Sequence, residues 1–168
     1  LGYLLQLFPN WSFTATDLSA TMLEKAKQYI QPLDALHRVE FALADVDQLN
    51  TNQTYDAALS ILVTHFVPYA QKLNFFKAID SRLKQQGVFI GFDLTAMNTD
   101  QERGMLQHIC EANGLSTAQS TAMLSRLADD FYPLSEQETF EQLSLAGFGS
   151  VQRFTQLLSY QGFMALKI

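Results

Sequence analysis

The chain has 168 residues, about the length of one domain. Its 11 basic and 17 acidic side chains give a net charge of −6, so extended nucleic acid and anionic membrane surfaces are poor partners for it. It lacks a run of about 18 apolar residues, so no membrane span is expected.

Two features of the composition bear on location and assembly. The single cysteine, Cys110, excludes an internal disulfide and fits a reducing compartment, so we expect a cytoplasmic protein. Charged residues make up 17% of the chain, below the usual ~25%, and a homodimer would cover part of such a lightly charged surface. A dimer could also assemble a basic patch that one chain lacks, but a small-molecule substrate fits the acidic chain better than nucleic acid does.

Hydrophobic spacing predicts that strands and helices alternate through the first half of the chain. Strands are predicted at residues 11–17, 39–44, 55–62 and 88–92, and helices at 1–8, 19–30 and 70–84. The continuously apolar third strand is typical of a parallel strand that is buried on both faces. On the helix that Ser19 begins, one face is predicted to carry Met22, Leu23, Ala26, Tyr29 and Ile30. Alternation of this kind favours a parallel sheet with helices on both faces.

The pattern changes after the fourth strand. Two helices are predicted within residues 99–130, separated at Asn113 and Gly114, and we interpret them as an insertion over the carboxyl ends of the strands. Ser135 and Glu138 have the spacing of a capping box at the start of a further helix.

The chain closes with two predicted strands, residues 151–158 and 163–168, which form an antiparallel hairpin. No linker-like segment interrupts the chain, so residues 1–168 are predicted to form a single domain.

Three acidic residues, Asp17, Asp45 and Asp93, lie at the ends of predicted strands. In an open parallel sheet, ligands bind at the carboxyl ends of the strands. Asp17 could accept two hydrogen bonds from a ribose diol, and Asp45 could accept one from an adenine amino group. Each could instead cap a helix or fill a turn. The residue types suit an adenosine, without choosing between a nicotinamide cofactor and another adenosyl ligand.

Residues 17–26 read D-x-S-x-x-M-L-x-x-A, which resembles the second-strand motif of class I S-adenosylmethionine-dependent methyltransferases. Other segments resemble that family's adenine-binding segment, fourth-strand motif, L-K-P-G-G turn with fifth strand, and A-G-F turn with final hairpin. These segments are residues 41–46, 55–66, 83–93, 145–148 and 160–167. The resemblance covers nearly the whole chain, and the insertion and tail are most similar to methyltransferases of the carboxymethoxyuridine tRNA type.

The resemblance implies a Rossmann-like α/β fold, with a mostly parallel sheet, a C-terminal antiparallel hairpin and a helical insertion. Two departures stand out. Gln85 and Gln86 replace the Pro and Gly of the family's turn. The glycine-rich first-strand motif, expected before Leu1, is absent from the sequence. The first strand is therefore expected to be missing from the order 3-2-1-4-5-7-6, and we expect a longer protein, or another segment or chain, to fill the gap.

The resemblance also implies S-adenosylmethionine as the cofactor and assigns residues to it. Asp17 would hold the ribose hydroxyls and Asp45 the adenine amino group. The same ligand would also contact Leu18, Met22 and Val46 beside the two acidic residues, and Ser60, Ile61 and Leu62 at the end of the third strand. For Ser60, Ile61 and Leu62, the alternative is a plain buried strand end.

The catalytic candidates are His65 and Asp93. His65 could contact the substrate or act as a base near neutral pH, or it could bond a backbone group and pack against Phe66. Asp93 could polarise an acceptor or begin a helix. In the family, acceptor recognition usually resides on the insertion, and the candidates on it or beside it are Arg103, Arg126 and Tyr132; a solvated surface is the alternative. The histidines and the cysteine lack metal-ligand spacing, so no metal site is expected.

Three hypotheses about function follow. In the first, a small-molecule or modified-nucleoside acceptor attacks the activated methyl group of the sulfonium, and the chain supplies alignment, with the insertion as a lid. In the second, the chain is a catalytically inactive methyltransferase-like or partner-binding module. In the third, it is a nicotinamide-dependent oxidoreductase, whose G-x-G-x-x-G opening and Tyr-x-x-x-Lys pair are not visible in the sequence.

Overall fold

Helices and strands alternate in the computed structural model, which describes residues 1–50, 52–97 and 99–168 and, at 128 and 129, the backbone alone. The helices are α1 (Gly2–Leu7), α2 (Ala20–Ile30), α3 (Tyr69–Arg82), α4 (Asp100–Ala112), α5 (Thr117–Asp129) and α6 (Glu136–Ala146). The strands are β1 (Phe13–Asp17), β2 (Val39–Leu43), β3 (Tyr55–Ile61), β4 (Leu83–Leu94), β5 (Phe148–Leu157) and β6 (Tyr160–Lys167). The predicted α/β class is confirmed.

The chain forms two compact units, residues 1–50 and residues 51–168. In the first unit, β1 and β2 form a parallel ladder that runs to the pair Asp17 and Leu43. Leu5, Ile30 and Ala35 are buried at its centre. The prediction that residues 1–168 form one domain stays a prediction.

Arg38 ties the end of α1 to the start of β2. Its guanidinium donates to the carbonyl oxygens of Leu5 at 2.8 Å, Phe8 at 3.0 Å and Trp11 at 3.1 Å. The last carbonyls of a helix have no partner within the helix, so side-chain donors of this kind satisfy them.

The buried face of α2 is narrower than the sequence predicts. Leu23 and Ile30 are buried, but Met22 and Tyr29 are 52% and 73% exposed, so the prediction is wrong for these two. Leu23 and Ile30 are seven residues apart, almost two full turns, and lie on one line along the helix. Met22 and Tyr29 each lie about 100° around the helix from that line.

The second unit contains a four-stranded sheet in the order β3-β4-β6-β5. β3 and β4 are parallel, and β6 pairs antiparallel with both β4 and β5, so the predicted hairpin is confirmed. Helices α3 and α6 pack together, and Phe76 of α3 contacts Phe89 of β4 with ring centroids 6.0 Å apart. The two ladders, β2-β1 and β3-β4-β6-β5, are the runs that remain when the first strand is left out of the expected order.

β3 and β4 depart from their predictions. Leu59 and Ile61 are about half exposed, at 47% and 48%, so β3 is not buried on both faces. Among the described strands, it pairs on one side only, with β4. The predicted turn at residues 86–87 lies within β4 as a bulge, where Gln86 has a φ of +64°. A side chain at Gly87 would approach the Lys84 carbonyl oxygen to 2.8 Å, which explains the glycine.

Residues 99–130 contain α4 and α5, so the two predicted helices are present, and their interpretation as an insertion stays a prediction. Thr99 and Ser116 cap the two helices through capping boxes, and Gly114 has a φ of +102° between them. Beyond α5, the Tyr132 N–H donates to the His65 carbonyl at 2.7 Å, so the insertion ends beside the carboxyl end of β3. In the described part of the chain, no helix has the length and apolarity needed to cross a membrane.

The cap of α6 gives the first testable prediction. The Ser135 hydroxyl accepts from the Glu138 N–H at 3.2 Å, and the Ser135 N–H donates to the Glu138 carboxylate at 2.8 Å. Because α6 places the fully buried Leu143 in the core, Ser135→Ala should lower the free energy of unfolding by about 1 kcal/mol in urea denaturation. Ser144→Ala, on the exposed face of the same helix, is the control. Equal midpoints for the two variants would contradict the prediction.

Candidate functional site

In the first unit, two carboxylates lie at the same end of neighbouring parallel strands. Asp17 is the last residue of β1 and is opposite Leu43, two residues before Asp45. The Thr16 hydroxyl donates to the Ala44 carbonyl and holds the segment after β2 against β1. Since adjacent strands lie about 4.8 Å apart, the two acidic residues share one edge of the ladder.

Both carboxylates also organise the backbone that follows them. Oδ1 of Asp17 accepts from the Ser19 N–H at 2.8 Å, and Oδ1 of Asp45 accepts from the Val46 N–H at 2.6 Å. Asp45 caps the short 3-10 helix Val46–Gln48. Oδ2 of Asp17 receives no hydrogen bond from the described residues, so this oxygen is available to a ligand donor. Both carboxylates therefore act as caps, and Asp17 can in addition accept a hydrogen bond from a ligand.

The predicted apolar ligand contacts beside Asp17 are exposed. Leu18 is 72% exposed and Met22 is 52% exposed, whereas Val46 is half-buried. Large apolar side chains clustered beside an acidic strand end are typical of a surface that a ligand covers.

In the second unit, the carboxyl end of β3 is a tight turn. Ser60 is buried, and Ile61 and Leu62 are 48% and 44% exposed. Leu62 has a φ of +57°, a left-handed conformation that is uncommon for leucine and that is found preferentially at functional sites. Its N–H donates to the Phe92 carbonyl at 2.8 Å, which fixes this turn to β4.

The two catalytic candidates, His65 and Asp93, contact each other directly. Both are 7% exposed, and Nδ1 of His65 is hydrogen-bonded to Oδ1 of Asp93. Oδ1 also accepts from the Leu94 N–H at 2.8 Å, and Oδ2 accepts from the Thr64 N–H. Asp93 therefore holds the turn Thr64–Phe66 from the neighbouring strand and does not begin a helix.

The other ring nitrogen of His65, Nε2, has no hydrogen-bond partner among the described residues. The His65 ring packs against Phe66 and Phe131, with centroids 4.2 Å and 5.0 Å away. An imidazole whose Nδ1 donates to a carboxylate carries a lone pair on Nε2, which is the arrangement of a general base.

The sequence analysis missed Lys72. Its side chain is 1% exposed on the inner face of α3, and its Nζ donates to the Thr64 carbonyl at 2.6 Å. Burial lowers the pKa of Lys72 from 10.5 to about 8, although Asp93 and Glu138 act in the opposite direction. The signal was present in the spacing, since residue 72 is four residues before the inward Phe76.

A small cavity adjoins these buried groups. It has a volume of about 20 Å³, roughly the room that one water molecule needs. Its polar lining comprises Thr64, His65, Lys72, Asp93, Thr95 and Thr139.

Of the three acceptor-binding candidates, the structure brings one to this cluster. The Tyr132 backbone bonds to His65, and its ring meets Tyr69 edge-on with centroids 5.5 Å apart. Arg126 is exposed and pairs with Asp130 at 3.0 Å, and Arg103 is exposed on α4. Neither guanidinium bonds to His65 or Asp93 in the part of the chain that the structure describes. The same described residues contain no cluster that could hold a metal ion.

Comparison with protein families and curated proteins identifies relatives. A family model described as a methyltransferase domain matches residues 1–89. Carboxy-S-adenosyl-L-methionine synthase from Pseudomonas aeruginosa is 28% identical over 158 residues, which cover 89% of this chain and 64% of that protein. The chain thus spans somewhat less than two thirds of the length of this relative.

Solved structures show the same fold. An O-methyltransferase family protein from Burkholderia thailandensis matches with a TM-score of 0.70 at 14% identity, covering 99% of this chain and 46% of that one. Magnesium protoporphyrin IX methyltransferase from Synechocystis, with bound S-adenosylhomocysteine (SAH), matches with a TM-score of 0.60 at 17% identity, covering 92% and 63%. These likenesses confirm the Rossmann-like fold.

Burial of Lys72 predicts a specific pH dependence of stability. Between pH 8 and 10.5, the unfolded chain binds a proton at this lysine that the native chain has released, so stability should rise with pH. The unfolding free energy of the wild type, relative to Lys72→Met, should therefore increase by roughly 1 kcal/mol per pH unit within this window. Urea denaturation at a series of pH values measures it.

Lys77→Met is the matched control, because Lys77 lies on the same helix and is exposed. Its difference from the wild type should stay constant over the same pH range. If the Lys72→Met difference also stays constant, the ammonium of Lys72 is not desolvated in the native chain and the prediction is wrong.

Proposed function

Because the chain belongs to the methyltransferase domain family, we propose that it binds S-adenosylmethionine and transfers the methyl group to a small-molecule or modified-nucleoside acceptor. One observation carries the proposal: Asp17 ends β1, Asp45 follows the end of the neighbouring parallel strand β2 by two residues, and Oδ2 of Asp17 has no partner among the described residues. The net charge of −6 favours a small acceptor over extended nucleic acid.

In the first unit, Asp17 binds the two ribose hydroxyls, and Asp45 accepts from the adenine amino group. A carboxylate suits the diol because its oxygens can each accept a hydrogen bond from adjacent hydroxyls. Leu18, Met22 and Val46 supply apolar contacts to the adenosine. Since these side chains are exposed or half-buried, ligand binding would remove apolar surface from water.

In the second unit, His65 acts as the general base. An acceptor hydroxyl attacks the methyl carbon, the carbon–sulfur bond breaks, and its electron pair stays on sulfur, which leaves neutral SAH. The acceptor proton passes to Nε2 of His65, while Asp93 stabilises the imidazolium. Tyr132, Arg103 and Arg126 contact the acceptor, with the α4–α5 insertion as a lid.

A second candidate function rests on the curated relatives, which carry the name carboxy-S-adenosyl-L-methionine synthase and align over 89% of this chain. In this alternative, the methyl carbon stays on sulfur, loses a proton and bonds to the carboxyl group of a carboxyl donor, and the donor carbon that releases the carboxyl group takes up a proton. The same adenosyl site would serve both reactions, so Asp17 and Asp45 keep their roles. The family match favours either reaction over the nicotinamide-dependent alternative.

Binding of SAH tests the adenosyl site. Asp17→Asn keeps the oxygen that accepts from the Ser19 N–H, but it removes the negative charge and replaces the second oxygen with a donor. Because a hydrogen bond to a charged group contributes about 1.5–3 kcal/mol, SAH affinity should fall about tenfold or more. NMR titration of the nitrogen-15-labelled chain measures even weak affinities.

Glu40→Gln is the matched control, since Glu40 is an exposed carboxylate near the start of β2, at the opposite end of the strand from Asp45. Its affinity for SAH should equal that of the wild type. A wild-type chain that binds no SAH, or an Asp17→Asn chain that binds it equally well, would contradict the proposal and favour the non-enzymatic module.

The fate of the methyl carbon distinguishes the two reactions. The chain is incubated with S-adenosylmethionine labelled with carbon-13 in the methyl group, together with the small-molecule fraction of a bacterial lysate. Mass spectrometry should find SAH without the label and a labelled product. If the label is instead found in a sulfonium that is heavier than S-adenosylmethionine by one carboxyl group, the result contradicts methyl transfer and supports the second candidate.

A further inference from the structure

The ammonium group of Lys72 has more N–H donors than the surrounding protein uses. At neutral pH, below its pKa of about 8, it carries three N–H bonds, and one of them donates to the Thr64 carbonyl at 2.6 Å. In the described part of the chain, Nζ has no second hydrogen-bond acceptor, and the Tyr69 ring, whose centroid is 5.6 Å away, accepts only weakly. Because Lys72 is fully buried, bulk water does not reach the remaining donors, and a buried donor without a partner is rare and costly.

Two threonine hydroxyls that line the cavity beside Lys72 are able only to accept. The Thr95 hydroxyl donates its single hydrogen to the Ser159 carbonyl at 2.7 Å, and the Thr139 hydroxyl donates to the Ser135 carbonyl at 2.9 Å. Each oxygen therefore keeps lone pairs but has no further hydrogen to give. Both threonines are buried, so a partner for these lone pairs has to be buried as well.

The carboxylate of Asp93 is the third acceptor at the cavity. The N–H groups of Thr64, His65 and Leu94 all point to it, and three such donors favour the ionised carboxylate, which can only accept. Among the described residues, the Thr64 N–H is the one donor to Oδ2. This oxygen therefore has room for a second hydrogen bond.

The cavity between these groups has the size of one water molecule. Its volume is about 20 Å³, and a water needs roughly 10–15 Å³. The rest of the lining is mostly apolar and includes Phe76, Phe89 and Leu143, so the ligand's hydrogen bonds must come from the polar side. The ammonium repels a cation, and an anion would face the Asp93 carboxylate and the threonine lone pairs. A water molecule fits, because it accepts from the ammonium and donates to the acceptors.

We propose that this cavity is a binding site for one water molecule, which accepts a hydrogen bond from Nζ of Lys72 and donates to two of the three acceptors. Three hydrogen bonds are the usual number for a buried water. The water extends the contacts of Lys72 from the Thr64 carbonyl to α6 or β4, and so it braces the turn that carries His65. The site does not depend on the proposed function, since no cofactor or acceptor takes part in it.

A crystal structure of the chain, at a resolution that shows ordered water, tests the site. It should contain one water peak in the cavity, within hydrogen-bond distance of Nζ of Lys72 and of two acceptor oxygens. A cavity without this peak overturns the proposal. So does a Lys72 whose Nζ bonds directly to the Thr139 hydroxyl or to Asp93, because the ammonium then needs no water.

Thr139→Ile tests whether the cavity itself holds the water. Isoleucine has no acceptor oxygen and adds one carbon atom at the cavity wall, so a crystal structure of this variant should lack the peak. Thr121→Ile is the matched control, since Thr121 is an exposed helical threonine, and its structure should keep the peak. A peak that persists in Thr139→Ile overturns the proposal. If Thr139→Ile does not fold, the wild-type structure decides alone.

These structures are determined without S-adenosylmethionine or SAH. Failure of SAH to bind would remove the proposed function and leave the water site intact. A cavity without water would remove the water site and leave SAH binding intact.

Discussion

Parallel pairing of neighbouring strands is the constraint on which both candidate regions depend. In a parallel pair the carboxyl ends coincide, so residues far apart in sequence meet at one edge. In the first unit this brings Asp17 together with Asp45, and in the second it brings the turn after β3 to Asp93 at the end of β4. Neither meeting requires a long side chain, because the ladders themselves set the spacing.

Much of this arrangement could be predicted from the sequence, because its signals are local. The caps Ser19 and Ser135 define helix starts within one residue, and β1 ends at Asp17 as predicted. Capping and turn preferences act over three or four residues, which a sequence window contains. For the same reason, short segments such as residues 17–26 were enough to indicate the resemblance to class I methyltransferases.

The contacts that the sequence did not predict join distant residues. His65 and Asp93 are 28 residues apart, and each had a plausible role of its own in the sequence. Lys72 was missed because lysine is rarely buried, so a lysine in a helix is ordinarily placed on the exposed face. The exposure of Leu59 and Ile61 was not predicted either. An apolar run shows which side chains are suited to burial, but it does not show which other part of the protein would cover them.

These buried groups give the second unit a chemistry that its fold alone does not supply. The Thr64–Phe66 turn carries His65, and three of its polar contacts go to Lys72 or Asp93 through the Thr64 and His65 backbone. The segment after α5 binds the same turn through Tyr132. Hydrogen bonds therefore join the segment after α5, the Thr64–Phe66 turn and the end of β4. A displacement of the segment after α5 would also displace the backbone of His65.

A crystal structure of the chain with SAH bound tests the central claim most directly. The account predicts both ribose hydroxyls within hydrogen-bond distance of the Asp17 carboxylate and the adenine amino group facing Asp45. SAH bound elsewhere, or an Asp17 carboxylate turned away from the ribose, would contradict it.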